Sequence, residues 1–309
     1  MFVHGWPDTV EMWTPLIARL SKRGHKCVCV PLPWYPGGSD PESRPDFDVA
    51  AGDVARAARL AIGTENAPKR TARKRVTLVC HDWGCVVGFK VQRRAPELID
   101  GVVALDVGGD ARGLSAKEKA FVVAYQAWLV AAHFIGGALG DAMTTRFARL
   151  AGAPVTRNED GSVTNAVVRA RQNWPYVAFW RDALFPRRKR GGDTSRGDEK
   201  EDASSAAEAR ASPFAPSCPV LYLFGGNKPA RFHGDAWLAA IDAKRAAGDG
   251  SAWREIKGAG HWFAVERVDE TFEVLDRWLR ETTRNARAAT ASDDSAEGAA
   301  GTVGVRSAL

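Results

Sequence analysis

The stretch that most constrains this chain is the apolar run Val76-Thr77-Leu78-Val79-Cys80, which passes through His81-Asp82-Trp83-Gly84 into Cys85-Val86-Val87-Gly88-Phe89. A buried strand that becomes a helix within two residues must turn sharply. The two backbones then nearly touch, and only small side chains fit on either flank. Cys80 and Gly84 take those flanking positions and Asp82 sits at the apex, the small-x-nucleophile-x-small arrangement usually written G-x-S-x-G. Asp is also a favoured helix N-cap, so the junction alone leaves two readings open, a capping carboxylate or a nucleophile. As a nucleophile, Asp forms an ester with an alkyl carbon rather than an acyl-enzyme, and the substrate class changes accordingly.

Apolar runs near 1–4, 26–31, 76–81, 101–106 and 219–225 read as strands, with helical patterns at Trp13–Lys22 and Val49–Ile62 between them. Strands alternating with helices predict an α/β fold, a mostly parallel sheet covered on both faces. From about Leu114 to Phe185 the alternation gives way to helical periodicity. Ala120–Ala138, the most apolar stretch, is interrupted by Gln126, His133 and paired glycines and reads as a buried or cavity-lining helix. Pro186–Pro216 and Thr283–Leu309 are poor in large apolar residues and predict a disordered insertion and a flexible tail. The organisation expected is therefore 1–110 and 217–282 as two parts of one core, 111–185 as a helical cap, 186–216 as the insertion and 283–309 as the tail.

Among 309 residues, 45% are hydrophobic and 26% charged, which allows a large core. No run approaches the ~18 apolar residues of a membrane span. The five cysteines lack ligand or disulfide spacing, so neither metal, cofactor nor disulfide framework is expected, and a reducing compartment, the cytoplasm, fits best. The net charge of +6 is concentrated in Lys69, Arg70, Arg73, Lys74 and Arg75 and in Arg187-Arg188-Lys189-Arg190. These clusters lack interleaved aromatics and read as solvated loops rather than a nucleic-acid surface. The partner implied is a small apolar electrophile, with oligomeric state left open.

Two further segments add chemistry. Met1-Phe2-Val3-His4-Gly5-Trp6-Pro7-Asp8 is a short strand closed by His-Gly-aromatic-Pro, and Gly258-Ala259-Gly260-His261-Trp262 is a glycine-flanked histidine before a helical run from about Asp269 to Arg280. With the segment Arg171-Gln172-Asn173-Trp174-Pro175-Tyr176, these motifs make the chain resemble the α/β-hydrolase superfamily. Within it, the chain is most similar to the epoxide hydrolase and haloalkane dehalogenase branch, whose nucleophile is the Asp of His-Asp-Trp-Gly. The resemblance covers roughly 1–110 and 215–282. It implies Asp82 as nucleophile, His261 as general base and the amides of Trp6 and Trp83 as an oxyanion hole. It also implies a sheet lacking its first two strands, since the His-Gly-x-Pro strand opens the chain.

The family often carries its acid as Gly-x-x-Asp after the 220–224 strand, but Gly225-Gly226-Asn227-Lys228 places a lysine there. Asp106, ending the strand after the nucleophile helix as in some haloalkane dehalogenases, is the preferred partner for His261, with Asp235 second. Asn173-Trp174-Pro175-Tyr176 resembles the family's Asn-Trp-Tyr cap segment, with Pro175 inserted, and suggests Tyr176 and Tyr125 as donors to an epoxide oxygen. Three functions remain open on this reading: epoxide hydrolysis, favoured by His-Gly-Trp-Pro; haloalkane dehalogenation, for which Trp83 fits a halide contact; and a non-catalytic protein that keeps the fold.

Overall fold

The computed structural model describes residues 1–63, 75–110, 112–154, 156–157, 163–164, 168–185 and 216–300, with backbone only at 156–157, 163–164 and 285–300. The Lys69–Lys74 part of the first basic cluster, the Arg187–Arg190 run and all but the last residue of the 186–216 insertion lie outside the described residues.

The apolar runs become β1 (Phe2–Val3), β2 (Cys29–Val30), β3 (Val76–His81), β4 (Ile99–Leu105) and β7 (Val220–Gly225), joined by β8 (Ala252–Ile256). They form one six-stranded sheet in the order β2-β1-β3-β4-β7-β8, every pairing parallel. Side chains alternate between its faces with the two-residue period of a strand. Leu78, Cys80, Val102, Ala104, Val220 and Tyr222 enter one core, while Val79, Val103, Leu105, Leu221 and Leu223 enter the other. Both faces are buried, which is why these strands read as unbroken apolar runs.

On the first face lie α2 (Phe47–Ile62), α3 (Trp83–Arg94) and a helix α7 (Asp235–Ala246), through residues such as Val54, Val87 and Trp237. The second face is covered by α1 (Thr14–Lys22) and α9 (Val268–Ala300), through Leu16, Leu20, Leu275 and Trp278. A four-residue helix, α8 (Phe263–Glu266), precedes α9. Local signals set the helix ends: Asp46 accepts from the amides of Asp48 and Val49 at the start of α2, and Gly63 closes it at φ 72°.

Between β4 and β7 stand α4 (Ala116–Ile135), α5 (Gly137–Leu150) and α6 (Trp174–Leu184), with a short antiparallel pair, β5 (Thr156–Arg157) and β6 (Val163–Thr164). No helix among the described residues is long and apolar enough to cross a membrane.

Three expectations change. Strand β8 was not anticipated, because Trp253-Arg254-Glu255 lies on an edge and mixes polarity. Helix α9 continues to Ala300, through residues expected to be a flexible tail; their alanines and arginines favour helix. The first two strands contain only two residues each, shorter than their apolar runs. Of the two readings of α4, buried or cavity-lining, the second fits: only Gln126, Leu129 and Ala132 are fully covered, and Phe121 and Tyr125 line a cavity.

Candidate active site

The junction after β3 is a left-handed turn. Asp82 adopts φ 52° and ψ −126°, a positive-φ conformation that residues other than glycine rarely adopt, and its side chain makes no cap hydrogen bond. Three glycines make room for it. A Cβ on Gly84 would strike the carbonyls of Val3 and His4, and one on Gly5 would strike the Asp82 side chain. A Cβ on Gly88 would sit 2.5 Å from Cys80 Sγ, so Gly88 accommodates the larger flank that Cys80 brings to the turn. The simple capping reading of Asp82 is thereby replaced: the strained residue presents its carboxylate outward from the carboxyl edge of the sheet.

Around that carboxylate the predicted residues converge. The Trp6 amide donates to Asp82 Oδ1 at 2.8 Å, and the Trp83 amide also supports the carboxylate. His261 Nε2 faces Asp82 Oδ2 at 3.5 Å, and His261 Nδ1–H donates to Asp106 Oδ2 in a short ion pair. Asp106, at the end of β4 with φ 73°, is fully buried and also accepts the Gly225 amide at 3.0 Å. Asp235 is not part of this group. It begins α7, its side chain 88% exposed, and pairs with Arg231 at 3.2 Å.

The charges set each protonation state. Burial alone would raise the Asp82 carboxyl, but the hydrogen bond and charge of His261, then His81 and the Trp83 amide, hold it below the usual value. Asp106 is likewise opposed by burial, yet His261 and Lys228 bring it down to about 2. Burial pulls the His261 imidazole down, and the charge and hydrogen bond of Asp106, with those of Asp82, push it up to about 10. At rest His261 is therefore an imidazolium between two carboxylates.

Two supports were missed by sequence reasoning. His81 donates from Nε2 to the His261 carbonyl at 3.0 Å and turns Nδ1 toward Asp8 Oδ2 at 3.3 Å, while Trp262 Nε1 donates to Asp8 Oδ2 at 3.1 Å. This chain fixes the His261 loop from beneath; its sequence trace was an Asp placed just past the His-Gly-Trp-Pro turn. The second is Lys228, judged only unfit as an acid. Its ammonium pairs directly with Asp106 Oδ1.

The segment between β4 and β7 is tied to the site through Asn173, which is completely buried. Its Oδ1 accepts Trp6 Nε1–H at 2.8 Å, and its Nδ2 donates to Leu129 O at 3.0 Å and Thr144 Oγ1 at 2.8 Å. Trp174 Nε1 donates to Pro33 O at 2.9 Å. Pro175 lies at the start of α6, where a missing amide costs nothing, so it launches the helix instead of disturbing it. Tyr176 consequently packs edge-on against Trp83, Trp6 and Tyr125, with centroids 5.1, 5.6 and 6.0 Å away. Burial raises the phenols of Tyr176 and Tyr125, keeping both protonated. A cavity of about 220 Å³ is lined by both tyrosines, by Trp6, Phe121, Phe147 and Phe232, and at its polar end by Asp82, His261 and Lys228. Among the described residues, no group of three or more His, Cys, Asp or Glu could hold a metal ion.

The sequence pattern described as the alpha/beta hydrolase family matches residues 1–274. The chain belongs to the alpha/beta hydrolase family. Among solved structures, this α/β-hydrolase is similar to a haloalkane dehalogenase variant from Bradyrhizobium elkanii, at 19% identity and TM-score 0.57 over 93% of this chain and 90% of that one. It is also similar to an epoxide hydrolase from Bacillus megaterium, at 18% and 0.58 over 90% and 92%. An esterase from Thermogutta terrifontis matches at 15% and 0.59 over 91% and 89%. At these identities the likeness is one of fold. A curated relative, Epoxide hydrolase 2 of Caenorhabditis elegans, is 26% identical over 107 residues, 35% of this α/β-hydrolase and 28% of that protein's length.

Proposed function

We propose that this hydrolase opens epoxides to diols through a covalent ester on Asp82. Asp82 Oδ2 attacks one epoxide carbon, an oxygen–carbon bond forms as the ring carbon–oxygen bond breaks, and Tyr176 with Tyr125 delivers a proton to the ring oxygen. His261, an imidazolium at rest, gives its proton to the tyrosinate once Asp82 is esterified, and the neutral ring, oriented by Asp106, then takes a proton from water. The resulting hydroxide attacks the ester carbonyl carbon, and the oxyanion that develops on Oδ1 is met by the Trp6 and Trp83 amides. The diol departs with the original Oδ2 and takes the proton of the newly added hydroxyl, so Asp82 is again a carboxylate and His261, holding the proton from water, again an imidazolium.

The observation that carries this reading is the meeting of three groups in one apolar cavity: an enclosed carboxylate braced by an amide, an imidazole 3.5 Å away, and two protonated phenols. An imidazole within reach of both Asp82 and Asp106 speaks against a retired, non-catalytic site. The test is a single turnover of styrene oxide in heavy-oxygen water. The label should appear on Asp82; an unlabelled Asp82 would falsify the ester.

A second reading has its own support. Trp83 Nε1–H is buried at the elbow and leans on the Tyr176 phenol, without a well-aligned acceptor among the described residues. Such a donor could receive a departing halide, which points to haloalkane dehalogenation on the same nucleophile. Release of bromide from 1-bromobutane, with styrene oxide left intact, would favour it.

A further inference from the structure

We propose that Lys228 is a positioning residue that lets His261 shed its proton once Asp82 has become an ester. The inference rests on the ester mechanism above and adds the reason its second half can run near neutral pH.

The geometry divides Asp106 between two cations. Its Oδ2 meets His261 Nδ1, while Oδ1 meets the Lys228 ammonium and the Gly225 amide. Lys228 therefore offsets the Asp106 charge from the far oxygen and does not compete for the hydrogen bond that orients the imidazole. Little of its side chain is exposed, at 5%. The rings of Phe232 and Phe224, centroids 5.3 and 6.0 Å from Nζ, confine it to that place. Burying an ammonium is costly without a partner, so its position depends on Asp106.

Consider the charges facing His261 from each side. Asp82 and His81 come from the elbow, Asp106 from the end of β4, Lys228 from the loop after β7, and Glu266 of α8 through the Gly260 amide at 3.2 Å. His233, beside Lys228, is brought down to about 4 by burial and by the Lys228 and Arg231 charges, so it is neutral and adds nothing.

At rest two carboxylates hold His261 charged, which suits an alkylation step that needs no base. Esterification neutralises Asp82 and leaves Asp106 as the one carboxylate in direct contact with the ring. A buried Asp106 acting alone would keep the imidazole protonated, and a protonated imidazole cannot activate water. Lys228 cancels much of that hold. A unit charge about 6 Å away, at an effective dielectric near 20, moves a titration by about two pH units.

The first experiment needs no substrate. Asp82→Asn gives position 82 the neutral charge of the ester, and the His261 ring protons are titrated by NMR with and without Lys228→Met. The midpoint should rise by at least about one pH unit in the double variant, and Lys228→Arg should restore it. An unchanged or lower midpoint overturns the proposal. Should Lys228→Met fail to fold, Lys228→Gln carries the same test.

The second follows a single turnover of styrene oxide, with the ester read as added mass on the Asp82 peptide. In Lys228→Met its formation should slow far less than its decay. Its decay at pH 7 should slow about tenfold, and the acid limb of the decay profile should move upward by the NMR shift. Equal slowing of both steps with an unmoved limb would mean a structural role only. If the His261→Gln variant traps no ester, the epoxide mechanism fails, while the NMR midpoint still decides what Lys228 does to His261.

Discussion

At the level of single residues, the site is governed by how three charges share one imidazole. His261 lies between Asp82 and Asp106, and under the proposed ester mechanism its job changes when the first of these is esterified. Replacing it by Gln should leave alkylation running and slow ester decay by about a thousandfold; mass spectrometry of the Asp82 peptide after styrene oxide treatment would show the accumulated adduct. Tyr176→Phe should cost about a hundredfold in epoxide turnover and little in bromide release, because only the ring oxygen needs a proton; paired assays on the two substrates check this. Much of this set was visible as residue types. Asp82, His261, Trp6 and Trp83 sit in short motifs whose local geometry is nearly self-contained. Choosing Asp106 over Asp235 was less secure, since both end up near loops after strands. Lys228 gave no signal beyond occupying the wrong slot, because its meaning depends on a carboxylate from another strand.

For the elements, the close approach of β1, the elbow and α3 decides everything. Gly84→Ala places a methyl group against the backbone carbonyls of Val3 and His4, which cannot retreat as a side-chain tip could. It should destabilise the fold by at least about 3 kcal/mol, read from chemical denaturation. Asn173 ties the segment between β4 and β7 to the residues after β1, as Gly84 ties α3 to β1. Asn173→Ala would strip partners from Trp6 Nε1, Leu129 O and Thr144 Oγ1 together, at a cost of about 3 kcal/mol. Because Trp6 also supplies an amide to Asp82, the same change should lower turnover, measurable with styrene oxide at a temperature where the variant stays folded. Helices α1 and α2 and strands β3, β4 and β7 follow the sequence periodicity closely. Strand β8 does not, since an edge strand in mixed polarity has neither the alternation nor the apolar run that marks its neighbours.

Taken whole, the molecule couples its stability to the protonation of the site. His261 rises from an ordinary 6.5 to about 10, so its contribution is complete below pH 6.5, fades as pH climbs, and is gone above about 10. Asp106 falls from 3.8 to about 2, so its contribution is complete above 3.8 and lost as pH drops through 2. Thermal midpoints should therefore decline from pH 6.5 toward about 8, before unfolded thiols and phenols begin to ionise. His261→Gln should flatten that decline, and an equally steep slope in the variant would show that another group is responsible.

Chain order and residue type alone settled the kind of sheet, the strand-to-helix turn at Asp82 and the identity of the imidazole 179 positions later. Those follow from local sterics and from periodicity, which act between neighbours along the backbone. Folding in three dimensions settled which carboxylate met that imidazole, that Pro175 starts a helix, that Asn173 bonds to Trp6, and that a lysine was buried beside Asp106. Each of these joins segments far apart in the chain, and electrostatic partnership depends on separation in space, which the order of residues does not record.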